Sequence, residues 1–109
     1  MLKKPTILIV GGGIGGLTLA LSLHAHGIPC QIFEAAKTFR PLGVGINMLP
    51  HAVRVLTKLG LESGLMTRGV EAREFSFFNR HGQFIFAEPC GRFAGYDYRH
   101  FSIHRGDLH

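Results

Sequence analysis

The residues of this chain whose types and spacing best suit chemistry are Gly11-Gly12-Gly13-Ile14-Gly15-Gly16 and, further on, Glu34. Glycines bunched in this way leave backbone N–H groups uncovered, which is what a phosphate needs. A carboxylate complements them, because it accepts hydrogen bonds from sugar hydroxyls. A bare G-x-G-x-x-G carries little weight in a chain with 15 glycines, so its surroundings decide the matter. The hexapeptide follows an apolar, β-branched run, Thr6-Ile7-Leu8-Ile9-Val10, and opens a helical pattern. A second apolar run, Cys30-Gln31-Ile32-Phe33, ends in Glu34, 18 residues after Gly16. Strand, glycine turn, helix, strand and acid, in that order, make a βαβ unit with a dinucleotide fingerprint.

Each position then has a physical task. Gly11 lets the chain leave the first strand in a tight turn, Gly13 has no side chain to hold a pyrophosphate off the backbone, and Gly16 lets the helix close on the sheet. The helix start near Ile14 adds unpaired N–H groups and the positive end of the helix dipole. Glu34 is placed to bond ribose hydroxyls, and its charge disfavours a 2′-phosphate. The competing reading is a glycine-rich turn with an unrelated surface glutamate.

The elements that must position these groups can be read on either side. The first strand is expected from Thr6 to about Gly11, a helix from Ile14 to His26, and the second strand from Cys30 to Glu34. Leu17, Leu19, Ala20, Leu21 and Leu23 make the helix apolar on most faces, which predicts a buried crossover helix. Gly27 and Pro29 end it. Residues 35–49 read as a loop, in which Gly43-Val44-Gly45 suggests backbone passing close to something flat or bulky, or else an ordinary turn. Pro50 opens a short helix with Val53, Val55, Leu56 and Leu59 inward, closed by Gly60. Beyond Glu71 the period becomes alternating: Phe75 and Phe77, then Phe84 and Phe86, flank Asn79-Arg80-His81-Gly82 as a β-hairpin, with the aromatics in a core or an interface. A last strand is expected within Tyr96–Ile103. The fold class is therefore α/β and Rossmann-like, with an incomplete parallel sheet and an inserted hairpin.

Composition narrows the partners. The chain is 46% hydrophobic and 17% charged, which suits a folded core. The net charge of +5 comes from 12 scattered lysines and arginines with no basic stripe, so nucleic acid is not expected as a partner. Cys30 and Cys90 are far apart, with Cys30 expected as a buried strand residue, and the seven histidines form no ligand pair. A reduced, cytoplasmic protein without a metal fits that pattern. Lys3-Lys4 before an apolar stretch imitates a secretory leader, but glycines interrupt the stretch and no cleavage site follows, so neither export nor a membrane span is expected.

The spacing Gly11, Gly13, Gly16, Ala20, Gly27 and Glu34 resembles the extended FAD-binding fingerprint of the class A flavoprotein monooxygenases, the group that includes the aromatic hydroxylases. Arg40-Pro41-Leu42-Gly43-Val44-Gly45-Ile46-Asn47 is similar to that family's Arg…Gly-x-Gly-Ile segment. Ile103-His104-Arg105-Gly106-Asp107-Leu108 is similar to its His-Arg-x-x-Leu element. The resemblance implies that Gly11, Gly13, Ile14, Gly15 and Gly16 hold the FAD pyrophosphate, and that Glu34 with the backbone near Ala35 holds the adenosine ribose. It further implies that Val44 and Gly45 run beside the flavin end, with Arg40 and Arg105 reaching the cofactor. No catalytic acid or base is implied in these residues. Family members are several times longer, so residues 1–109 are expected to be the N-terminal part of an FAD-binding domain without a separate substrate domain.

The activity implied for the whole enzyme is hydroxylation of a small, electron-rich, aromatic substrate with NAD(P)H and O2. Two rivals stand beside it: a non-catalytic nucleotide-binding fragment, and an NAD-binding reductase domain that would leave Arg105 and the Gly43–Gly45 loop unexplained. An unfinished sheet also predicts self-association through open edges and apolar surface.

Overall fold

The computed structural model describes residues 5–40 and 43–109; Lys3, Lys4, Pro41 and Leu42, which entered the sequence argument, lie outside them. Strand β1 (Ile7–Val10), helix α1 (Ile14–Ala25) and strand β2 (Cys30–Phe33) form the expected βαβ unit. The strands are parallel, with Ile7 opposite Cys30 and Val10 opposite Phe33. Helix α1 ends as read: Gly27, at φ +67°, takes the left-handed turn, and Pro29 follows.

Strand β3 (Gly45–Met48) lies inside the stretch read as a loop. Gly43 and Gly45 hide it in the sequence, yet it alternates: Met48 is buried and Ile46 packs on the core, while Gly45 and Asn47 face out. Helix α2 (Pro50–Lys58) begins at its proline as expected, and Gly60 turns the chain at φ +80°. Helix α3 (Glu62–Arg68) was not anticipated, being too short to show a period. Strand β4 (Val70–Glu71) leads to β5 (Glu74–Phe78) and β6 (Phe84–Pro89), and a 3-10 turn (Gly91–Ala94) leads to β7 (Phe101–His104) and α4 (Arg105–Leu108). The last strand thus starts five residues later than the earliest point its sequence allowed, Tyr96.

Among the described residues the strands make three small sheets: β1-β2, antiparallel β3-β7-β4, and the β5-β6 hairpin. The core belongs to the second. Phe101 and Ile103 point inward from β7 onto Met48, Val53, Leu56 and Leu65, while Ser102, on the opposite face, donates to Asn47 Oδ1 at 2.8 Å. Full burial of one such side chain contributes about 1.5–3 kcal/mol. Ion pairs edge this lobe: Arg92 grips Glu71 with two bonds of 2.7 and 2.8 Å, and Arg99 pairs with Glu62. The Arg92 guanidinium holds the Glu71 carboxyl below its usual range.

Four expectations need correction. Helix α1 has no buried residue, because a sheet of two strands covers one of its faces and no more. Cys30 is half-buried for the same reason, while Cys90 is buried, and burial, followed by the charges of Glu74 and Glu88, pushes its thiol up. Val55 is exposed, one residue short of the inward stripe of Val53 and Leu56. The hairpin forms with the turn that was read, Asn79 Oδ1 accepting from the N–H groups of His81 and Gln83, but Phe77, Phe84 and Phe86 are exposed and enter no core. Phe75 alone of that set packs inward, edge-on to His100 at 5.1 Å. The hairpin is tied at its base, where Cys90 N–H donates to Arg73 O, and the chain is drawn out to a radius of gyration of 17.7 Å. A compact chain of this length would measure about 13 Å.

Candidate nucleotide-binding site

The site is built on the bend between β1 and α1. Gly11 sits at φ +104°, a conformation that other L-residues rarely adopt, and its N–H donates to Phe33 O at 2.7 Å. Gly16 answers the same bend from the helix: a Cβ there would lie 2.0 Å from Gly11 O, so only glycine lets α1 close on the turn. Gly13 caps the helix in an extended conformation, and its carbonyl accepts the first helical bond from Leu17. Nothing lies within 4 Å of where a Gly13 Cβ would be, so the open space that a phosphate needs is present beside it.

Glu34 follows the last residue of β2 and turns back over this loop. Its Oε2 accepts from Gly12 N–H at 2.5 Å and its Oε1 from Ala36 N–H at 3.0 Å. Those two N–H groups, Ala36 first and Gly12 next, hold the carboxyl below its usual range against a smaller opposing effect of burial. The group is therefore an anion at neutral pH, and each oxygen keeps a lone pair for a ligand hydroxyl.

A cleft of about 580 Å³ opens in front of these groups. Gly12, Gly13 and Glu34 form one wall, Phe39 and Arg40 the connecting edge, and Arg105 and His109 the wall contributed by α4. Two arginines and Lys37 thus line the cleft together with the glycine loop and one fixed carboxylate. That is an arrangement for a phosphorylated ribose: planar cations can each bond two phosphate oxygens, and the carboxylate takes sugar hydroxyls. A second hollow of about 510 Å³ lies between α1, α3 and α4, but leucines such as Leu17, Leu21, Leu56 and Leu65 line it and it lacks the glycine amides.

Of the residues singled out from the sequence, Gly13, Glu34, Arg40 and Arg105 meet in the cleft. Gly11, Ile14, Gly15 and Gly16 do not line it: Gly11 and Gly16 form the bend, and Ile14 and Gly15 the first turn of α1, with Ile14 turned to the leucine-lined hollow. Ala35 contributes through its N–H, which helps to hold the Glu34 carboxyl down. Val44 and Gly45 lie beside the cleft, outside its wall: Val44 O accepts from Arg105 N–H at 2.9 Å, and Gly45 pairs with His104 across β3 and β7. Gly12, part of the glycine run, lines the cleft as well, whereas Ala36, Phe39 and His109 carry no role in the sequence reading. His109 had a readable signal, since it stands four residues after Arg105 and so on the same helical face. No helix among the described residues is long and apolar enough to cross a membrane.

Comparisons with known proteins give a family match and several relatives. The family profile described as FAD binding domain matches residues 4–105. The phenazine 1,6-dicarboxylic acid hydroxylase PhzS of Lysobacter antibioticus is 46% identical over 103 residues, covering 94% of this chain and 25% of that protein. The 3-amino-4-hydroxybenzoate 2-monooxygenase PtmB3 of Streptomyces platensis is 37% identical over 112 residues, covering 98% of this chain and 28% of that protein. Among solved structures, Klebsiella pneumoniae HpxO complexed with FAD and uric acid superposes with a TM-score of 0.78 at 26% identity, over 94% of this chain and 26% of that one. The chain thus spans about a quarter of the length of the curated relatives it matches.

Proposed function

The chain belongs to the FAD-binding domain family, and from that premise we propose that residues 1–109 are the N-terminal part of the FAD-binding domain of a flavin-dependent monooxygenase. The whole protein would hydroxylate a small aromatic substrate with NAD(P)H and O2. The observation that carries the reading is the cleft itself, where Glu34, fixed by Gly12 and Ala36, faces Arg40 and Arg105 across the open backbone of Gly13.

The residues divide the work of binding. The Gly13 amide and the first turn of α1 meet the pyrophosphate, helped by the helix dipole. Arg105 sits at the start of α4, held there by its N–H bond to Val44 O, and presents a guanidinium that bonds two oxygens at once. Arg40 adds a second cation at the rim. Glu34 binds the ribose hydroxyls and repels a 2′-phosphate. FAD, when bound, supplies the redox chemistry, taking reducing equivalents from NAD(P)H and passing them to O2. None of these side chains is assigned as a catalytic acid or base; their task is to seat and orient the cofactor.

Side-by-side titration with FAD and NAD⁺ tests this. Saturation by FAD at one equivalent, with NAD⁺ binding much more weakly, is the expected result; preferential NAD⁺ binding would instead favour the reductase reading. We also propose a cytoplasmic location, a reading that the unpaired Cys30 and Cys90 support. Self-association is proposed through the hairpin, where Phe77, Phe78, Phe84, Ile85 and Phe86 are exposed together. A monomer by light scattering at high concentration would contradict that part.

A further inference from the structure

We propose that His109 is a positioning residue that clamps the phosphate-binding loop, so that α4 brings to the cleft both a cation for the cofactor and the group that fixes the loop's amides. The proposal rests on the FAD reading above. It begins from a contact between residues far apart in sequence: His109 Nε2 lies 2.7 Å from Gly12 O. A carbonyl oxygen only accepts, so Nε2 carries the proton and donates it. Two further contacts hold His109 in place, one at its ring and one at its backbone. The Phe39 ring meets it edge-on at 4.3 Å with planes 73° apart, and its own backbone N–H donates to Arg105 O at 3.1 Å.

The bond acts on the group that matters. Gly12 O and Gly13 N–H belong to one planar peptide unit, and no described peptide is cis. Holding the oxygen toward His109 therefore directs the Gly13 N–H the opposite way, where it has no partner among the described residues. The preceding peptide is held as well, because Gly12 N–H donates to Glu34 Oε2. Two consecutive peptide units of a glycine run are thus each pinned by a side chain, Glu34 just after β2 and His109 just after α4. Glycine loses more conformational freedom on ordering than any other residue. A loop ordered in advance spares that loss at the moment of binding, and the gain appears as affinity for whatever its amides hold.

The test compares three variants of the protein by FAD and ADP titration, with thermal midpoints measured without nucleotide. His109→Ala removes the donor and is expected to weaken FAD and ADP alike by roughly threefold to tenfold, the value of one net hydrogen bond. His109→Gln places an amide N–H at the reach of Nε2 and should restore affinity to within about twofold of the native protein. His109→Asn, with a donor one carbon shorter, should not. Rescue by Gln and not by Asn, with unchanged thermal midpoints, separates a clamp from a merely structural histidine, and the Gln–Asn pair decides the matter even if the Ala variant does not fold. Native affinity in His109→Ala, or equal losses in the Gln and Asn variants, would overturn the clamp and leave the FAD reading intact. Failure of the native protein to bind FAD would overturn that reading and the clamp together.

Discussion

The βαβ unit and the lobe built on β3, β7 and the helices α2 and α3 differ in what their residues are used for. In the βαβ unit Ile9 is the buried apolar side chain among the described residues, while Leu8 is 63% and Val10 90% exposed. In the other lobe Val53 is fully buried, Phe101 is 1% exposed, and four more side chains complete a connected core. Yet the βαβ unit has the more exacting backbone: a glycine at φ +104°, a helix that closes on it through Gly16, and a carboxylate tied to two amides. One region supplies binding geometry with little packing behind it; the other supplies packing and contributes Arg105 and His109 to the cleft from its margin. Helix α4 joins them, so the well-packed lobe reaches the sparsely packed loop through Arg105 and His109.

The comparison can be broken from either side. Phe101→Ala should have the largest effect, about 3–5 kcal/mol of stability by chemical denaturation, since it empties the centre of the core. A loss under 1 kcal/mol would mean that the lobe is not what stabilises the chain. Gly16→Ala attacks the other region: its Cβ meets backbone and not a yielding side chain, so FAD affinity should fall by roughly ten- to a hundredfold. Glu34→Gln keeps the shape and removes the charge, and should weaken FAD about tenfold while improving relative binding of 2′-phosphorylated nucleotides. The same residue sets a pH dependence. Its folded-state pKa is depressed, so the native advantage over Glu34→Gln should persist as the pH falls to the ordinary glutamate value of 4.5 and vanish only below it.

Two smaller effects sharpen the contrast. His100 is buried against Phe75 and burial pushes its pKa down, so the unfolded chain takes up a proton that the folded chain refuses. Stability should therefore decline as pH drops through the ordinary histidine range, by less than about 1.4 kcal/mol per pH unit, the limit for one proton. His100→Leu should flatten that slope in denaturation midpoints taken at several pH values. Phe84→Ser lies on the projecting hairpin, where the side chain is 61% exposed, and should change stability by no more than about 0.5 kcal/mol while reducing self-association in sedimentation.

What could be read from the sequence follows the same division. The bend, α1, the acid at the end of β2 and the proline-started α2 were legible because each depends on local constraints: a glycine where φ is positive, a fixed strand–helix spacing, a ring that suits a first helical turn. Strand β3 was hidden because Gly43 and Gly45 outweighed the alternation of Ile46 and Met48. The exposure of α1 and of Phe77, Phe84 and Phe86 could not be read either, since apolar residues announce that they need cover and not whether the cover is present. Within the site, Glu34 and Arg105 were legible as residue types in a pattern, whereas the Gly12–His109 bond joins positions that only the tertiary fold brings together.

The central claim is that the bend from Gly11 to Gly16 seats the diphosphate while Glu34 takes the ribose. Backbone amide NMR during titration with ADP addresses it residue by residue. The account predicts the largest shifts at Gly12, Gly13, Ile14 and Glu34, with smaller ones at Arg105 and His109. Shifts concentrated instead on Leu56, Leu61 and Leu65, around the leucine-lined hollow, with Gly13 unmoved, would contradict it.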